Sequence, residues 1–159
     1  MNTLNFDFVF LGQSILKYQV PLDIFHIINH IYDVNKNKLH KANEQLVGKI
    51  EDEHSLFYRG ADQTKMKNHN KLPTIVTTYF IKMFEHYLSF NKIKDYEMHL
   101  NSIWVNEMKQ HEYNPAHVHR GMLFTGLSSV MILKLPSTYG REYSASDTPQ
   151  NGQLQILGA

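Results

Sequence analysis

The chain has 159 residues, 16 Lys+Arg against 15 Asp+Glu and 42% hydrophobic content, the profile of one globular domain rather than a disordered or nucleic-acid-binding protein. It holds no cysteine, which excludes a disulfide framework, a zinc ribbon and an iron–sulfur cluster and fits a reducing compartment. The N-terminal stretch MNTLNFDFVFLGQSILKYQV has no basic leader region and Asp7 interrupts it; no apolar run reaches the ~20 residues of a membrane span, so a cytoplasmic location is expected.

Residues 14–20, SILKYQV, alternate as a short strand does. Pro21 then opens a helix over 21–35, with Leu22, Phe25, Ile28, Ile31 and Tyr32 recurring at helical spacing. VNKNKLHKANEQ reads as a polar linker, LVGKIEDEHSLF as a Gly-broken loop or short turn of helix, and residues 59–72 as an exposed connector. Pro73 starts a second helix over 73–90, and Ile75, Val76, Tyr79, Phe80, Met83, Phe84 and Tyr87 form a broad apolar stripe that reads as core packing.

From Tyr96 the period changes, and YEMHLNSIWVNEM alternates as a strand. KQHEYNP is turn-like because Asn-Pro breaks regular structure, and AHVH resumes extended backbone. LFTGLSSVMILKLP reads as a longer apolar strand stopped by Pro136, followed by a loop rich in Ser, Thr, Gly and Pro and a last short strand, QLQIL. Helices first and strands second predict a single α+β domain, with both helices on the outside of the sheet rather than lining a pocket.

His117 and His119 form an H-x-H triplet in NPAHVHRG. With 10 histidines in the sequence, about 0.6 such triplets are expected from composition alone, so the triplet acquires meaning only from its surroundings. On a strand, residues two apart share a face, and both imidazoles would enter one cavity. Two neutral imidazoles and a third ligand make the facial arrangement that leaves positions open on iron(II).

The order of motifs carries more: Trp104-x-Asn106, then Tyr113-Asn114-Pro115, then His117-x-His119, then the apolar run to Pro136. The stretch SIWVNEMKQHEYNPAHVHRGMLFTGLSSVMILKLP resembles the front of the double-stranded β-helix (jelly roll) of Fe(II)/2-oxoglutarate-dependent dioxygenases, and among these the oxygenases common in marine bacteriophages. QSILKYQVP and LVGKIEDEHSLF resemble the helical preface of those phage proteins.

The resemblance implies a mainly helical preface over 1–93 and the front part of the jelly roll over 94–159, with N-terminal helices packed on an incomplete sheet. It implies His117 and His119 as metal ligands, Tyr113 and Asn106 as cofactor-binding residues, and Fe(II) and 2-oxoglutarate as cofactors. Oxygen would be the co-substrate, hydroxylation of an unidentified primary substrate the reaction, and the cytoplasm of a bacterial host the location if the protein is phage-encoded. Neither a nucleic acid nor a membrane is an expected partner.

The departures from the family set further expectations. Commoner members have H-x-D, so His119 stands where an aspartate usually ligates iron. The family's distal histidine and its 2-oxoglutarate-binding arginine are expected beyond residue 159. On that expectation the 159 residues are the front of a longer domain, weak for iron and inactive alone. His111 and Asp147 are the next ligand candidates, and Lys134 and Arg120 the nearest cations, both turned away from His119 by the strand period. A cupin-like metal protein is the alternative, disfavoured because RGMLFTG supplies no carboxylate after His119. A non-catalytic β-helix module for binding or assembly is the other.

Overall fold

Residues 4–10, 14–42, 48–60, 69–115, 117, 126–138 and 154 are described by the structure, a computed structural model. Strand β1 (Phe6–Phe10) pairs antiparallel with β2 (Ser14–Tyr18), in a register running from Phe6 opposite Tyr18 to Phe10 opposite Ser14. Residues 6–10 read from the sequence only as intermittently apolar, because Asp7 breaks the run and the strand is short. Pairing with β2 sets its conformation.

Helix α1 (Leu22–Asn35) begins after Pro21, whose fixed φ of −56° suits the helix start, and Asp23 accepts a hydrogen bond from the Ile24 amide at 2.9 Å. It buries Ile24, Ile28 and Tyr32, one residue per turn along a single stripe. A single 3-10 turn, Lys36–Lys38, closes it. Helix α2 (Thr74–Phe90) starts after Pro73 and buries Val76, Tyr79, Phe80, Met83 and Leu88. The two stripes meet in one core with Leu39 and Leu56. The hairpin docks on the second half of α2. There the Tyr18 hydroxyl meets His86 Nδ1 at 2.8 Å, the Tyr87 hydroxyl donates to the Ser14 carbonyl at 3.1 Å, and Ser14 Oγ bonds Asn91 Oδ1. Burial beside Tyr79 and Tyr87 pushes the Tyr18 phenol up to about 12.

Strand β3 (Asp52–Tyr58) pairs antiparallel with β4 (Ser102–Glu107), with a register shift between Ser55 and Phe57 that sets Leu56 fully into the core. On its other edge β3 meets residues 40–42, through Ser55 N to His40 O at 2.9 Å and Ala42 N to Glu53 O at 3.0 Å. The described residues thus form a mixed fold of two helices and two small antiparallel two-stranded sheets. Among them, no helix is long and apolar enough to cross a membrane.

Three expectations need correction. The Gly-broken loop expected over LVGKIEDEHSLF is in its second half strand β3, because ladder bonds from β4 on one edge and residues 40–42 on the other hold a polar sequence extended. The strand expected from Tyr96 begins only at Ser102, because its partner turns away after Tyr58 and the last cross-link is Arg59 N to Asn101 O at 2.8 Å. The strand expected over LFTGLSSVMILKLP is, in residues 126–138, a segment without any ladder partner among the described residues. Met131 and Leu133 pack on the core while Val130 and Ile132 are exposed, so the side chains alternate as on a strand although no described residue pairs with the backbone. Of QLQIL, all but the exposed Leu154 lies outside the described residues.

Candidate functional site

The β3–β4 ribbon has two chemically different faces. Leu56, Ile103 and Val105 turn toward α1 and α2, and His54, opposite Val105, reaches the Tyr32 hydroxyl of α1 at 3.3 Å. Glu53, Ser55, Trp104 and Asn106 alternate onto the other face. Ser55 Oγ meets His69 Nδ1 at 3.0 Å, and the His69 ring lies 4.2 Å from that of His40. This contact buries His69, which the sequence places in an exposed connector.

Glu53 and Asn106 are direct cross-strand partners, and each presents a buried oxygen, Oε2 and Oδ1, that no hydrogen bond satisfies among the described residues. Burial pushes the Glu53 carboxyl above the usual carboxylate range. Two adjacent acceptors without a donor are costly in a low-dielectric setting, and such groups concentrate where a ligand or proton completes them. Asn106, expected to bind a cofactor, therefore sits on the polar face with an open acceptor. Its partner Glu53 was not legible as a site residue, since a run of three acids in EDEH reads as solvated charge.

After β4 the backbone reverses over residues 108–112. Glu112 organises the reversal: its carboxylate accepts the Lys109 amide at 2.7 Å and the Glu51 amide at 3.0 Å. These two bonds hold that carboxyl below its ordinary range. His111 has φ 68° and is exposed at this turn, so it is a turn residue rather than part of the polar face. Tyr113 then pairs with Lys49 through two backbone bonds of 2.9 and 3.1 Å, and its side chain is exposed. Gly48 passes so close to Tyr113, Asn114 and Pro115 that no side chain fits between them.

This clamp places His117. Its Nδ1 lies 2.8 Å from the Pro115 carbonyl oxygen, which only accepts, so Nδ1 carries a proton. His119, its partner in the triplet, lies outside the described residues, as do Arg120 and Asp147. Lys134 is engaged elsewhere, bonding Asp33 of α1 at 2.9 and 3.1 Å. Among the described residues, no group of three His, Asp or Glu side chains is placed to hold a metal. Comparison with family models, curated proteins and solved structures returns no match.

Proposed function

We propose that the protein is an Fe(II)/2-oxoglutarate-dependent oxygenase, with the segment after β4 forming the front of a jelly roll and His117 and His119 as metal ligands. The observation that carries this reading is the contact of His117 Nδ1 with the Pro115 carbonyl oxygen. A backbone carbonyl on Nδ1 is the usual device that orients a metal-binding imidazole and reserves Nε2 for the metal. The order strand β4, tight turn, Asn114-Pro115, His117 supports it, as does the division of the ribbon into an outer apolar face under the helices and an inner polar one.

Of the residues that would hold iron, His117 is described and the others, His119 among them, lie outside the described residues. Iron(II) with 2-oxoglutarate and O2 supplies hydroxylation of a C–H bond. The protein's own contribution is to hold and orient. His117 presents an imidazole, Glu112 and the Lys49–Tyr113 pair fix the backbone that carries it, and Asn106 and Tyr113 offer polar groups to the oxoacid. The turnover would run in the cytoplasm, on a primary substrate that presents a C–H bond.

The test is an anaerobic Fe(II) titration of the wild type and of H117A and H119A, paired with succinate release from 2-oxoglutarate under air. Loss of iron affinity by about tenfold or more in both variants is expected. Equal iron affinity in all three proteins would dismiss the assignment.

A further inference from the structure

Three antiparallel stretches of backbone, residues 40–42, β3 and β4, lie side by side under the polar face. Ala42, Glu53 and Asn106 form one row across them, through the Ala42 N to Glu53 O bond of 3.0 Å and the Glu53–Asn106 pairing. His40, Ser55 and Trp104 form the next row. Glu53, only 6% exposed, therefore stands between a methyl group and an amide, and Asn106 is the polar side chain directly opposite it. The orphaned atoms of the row are Glu53 Oε2 and Asn106 Oδ1, whereas the amide nitrogen of Asn106 is not enclosed.

No salt bridge reaches Glu53 among the described residues. The lysines of the ribbon serve other acids, Lys41 and Lys109 at Asp52 and Lys36 at Glu107. The titratable side chains on the polar face are His40 and His69, whose rings lie 4.2 Å apart beside Ser55, with Tyr58 next to His69. An ionised Glu53 would be a buried anion with neither cation nor donor. Turning the Asn106 amide over would give it one neutral N–H, too little to offset the removal of a charge from water. A retained proton satisfies both orphans at once, because the acid O–H donates and Asn106 Oδ1 accepts.

We propose that Glu53 is a positioning residue that keeps its proton in the folded protein, donates it to Asn106 Oδ1, and thereby turns the amide hydrogens of Asn106 to the polar face as a donor pair. The ligand of that pair is a carboxylate of the oxoacid. This last step rests on the oxygenase reading; the protonated acid and the oriented amide do not. When pH rises through the titration of Glu53, Oδ1 loses its donor, the amide turns over to serve the anion, and the donor pair is withdrawn.

Carbon-13 NMR of the glutamate carboxyls, with the Asn106 side-chain amide followed in the same samples across pH, tests the first part without metal or oxoacid. One carboxyl, missing in E53Q, should titrate above the exposed glutamates, and the Asn106 amide signals should move with the same midpoint. A Glu53 carboxyl that titrates with the exposed ones, or an Asn106 amide indifferent to it, overturns the proposal. Anaerobic calorimetry with 2-oxoglutarate in the presence of Fe(II) reads the consequence. Wild-type affinity should fall as pH rises across that midpoint. E53Q, whose amide N–H stands in for the acid O–H, should keep its affinity there, and E53L should be about tenfold weaker than the wild type below the midpoint. Equal affinity of E53Q and E53L, or no pH step in the wild type, overturns the donor pair. Absence of binding in every protein overturns the oxoacid as ligand and the oxygenase reading with it, while the NMR titration still decides the state of Glu53.

Discussion

Replacing Gly48 by Ala tests the clamp that positions the segment leading to His117. A Cβ on residue 48 would fall inside hard contact with the Tyr113 carbonyl oxygen and within 2.9 Å of Asn114 Cα and 3.0 Å of Pro115 Cδ. Two of these three are backbone atoms, so no rotamer change relieves the clash and the two segments must part by about 1 Å to restore normal separations. The least costly escape is to release the Lys49–Tyr113 pair, two backbone hydrogen bonds worth about 1 kcal/mol net each. A loss of about 2 kcal/mol is therefore expected in urea unfolding. It should be accompanied by faster amide exchange at Lys49 and Tyr113, with exchange in α2 slowed or hastened only by the global change. Gly60→Ala is the control, since its Cβ meets only the Tyr58 ring at 3.3 to 3.4 Å, which can shift. A G48A variant with wild-type stability and unchanged protection at Lys49 and Tyr113 would refute the clamp.

Leu56→Ala should cost about 2–5 kcal/mol, because Leu56 is fully buried at the bulge where both helices meet the ribbon; a shift in the urea midpoint below the equivalent of about 1 kcal/mol would place the core elsewhere. Glu53→Gln should stabilise the protein at neutral pH by about 1 kcal/mol, since it removes a carboxyl that burial disfavours as an anion and supplies an N–H for Asn106 Oδ1. The sign follows from a folded-state pKa above the unfolded one: the wild type loses stability as pH rises through that value, so the gain should vanish in acid, and a gain that persists there would point to packing instead. His54 titrates the other way. Burial lowers its pKa, with Asp52 and Glu107 pulling it up and Lys41 and Lys36 pushing it down, so its neutral form supports the fold above the ordinary imidazole range and that support is lost as pH falls through the folded value. H54Q should flatten the decline in urea midpoint between about pH 7.5 and about pH 5, and a parallel decline in both proteins would assign it to other groups.

Both helices were legible because their apolar residues keep a 3.6-residue period and each follows a proline, two signals of the same sign. Strand β4 was legible from its alternation, and the turn after it from Asn114-Pro115. Strand β3 was not, since its buried positions include Glu53, His54 and Ser55, and polarity at buried sites defeats a reading built on apolar periodicity. Their partners are distant in sequence: buried His54 bonds Tyr32, 22 positions earlier, and buried Ser55 bonds His69, 14 positions later. Such pairings are tertiary facts that no local window contains. The H-x-H motif was legible as a motif, while the contact of His117 Nδ1 with the Pro115 carbonyl is a detail of backbone conformation.

Residues 126–138 separate two properties that usually travel together. Their backbone makes no hydrogen bond among the described residues, yet Met131 and Leu133 are seated on the core and Lys134 is tied to Asp33. Amide exchange there should run near the rate of open peptide while the methyl groups of Met131 and Leu133 report a fixed environment. Proteases read their substrates as extended strands through main-chain contacts, so this stretch offers a cleavable shape without any prior unfolding. A nick between Met131 and Leu133 would leave both new ends held by side chains, so the protein would be cut in sequence before it came apart in shape.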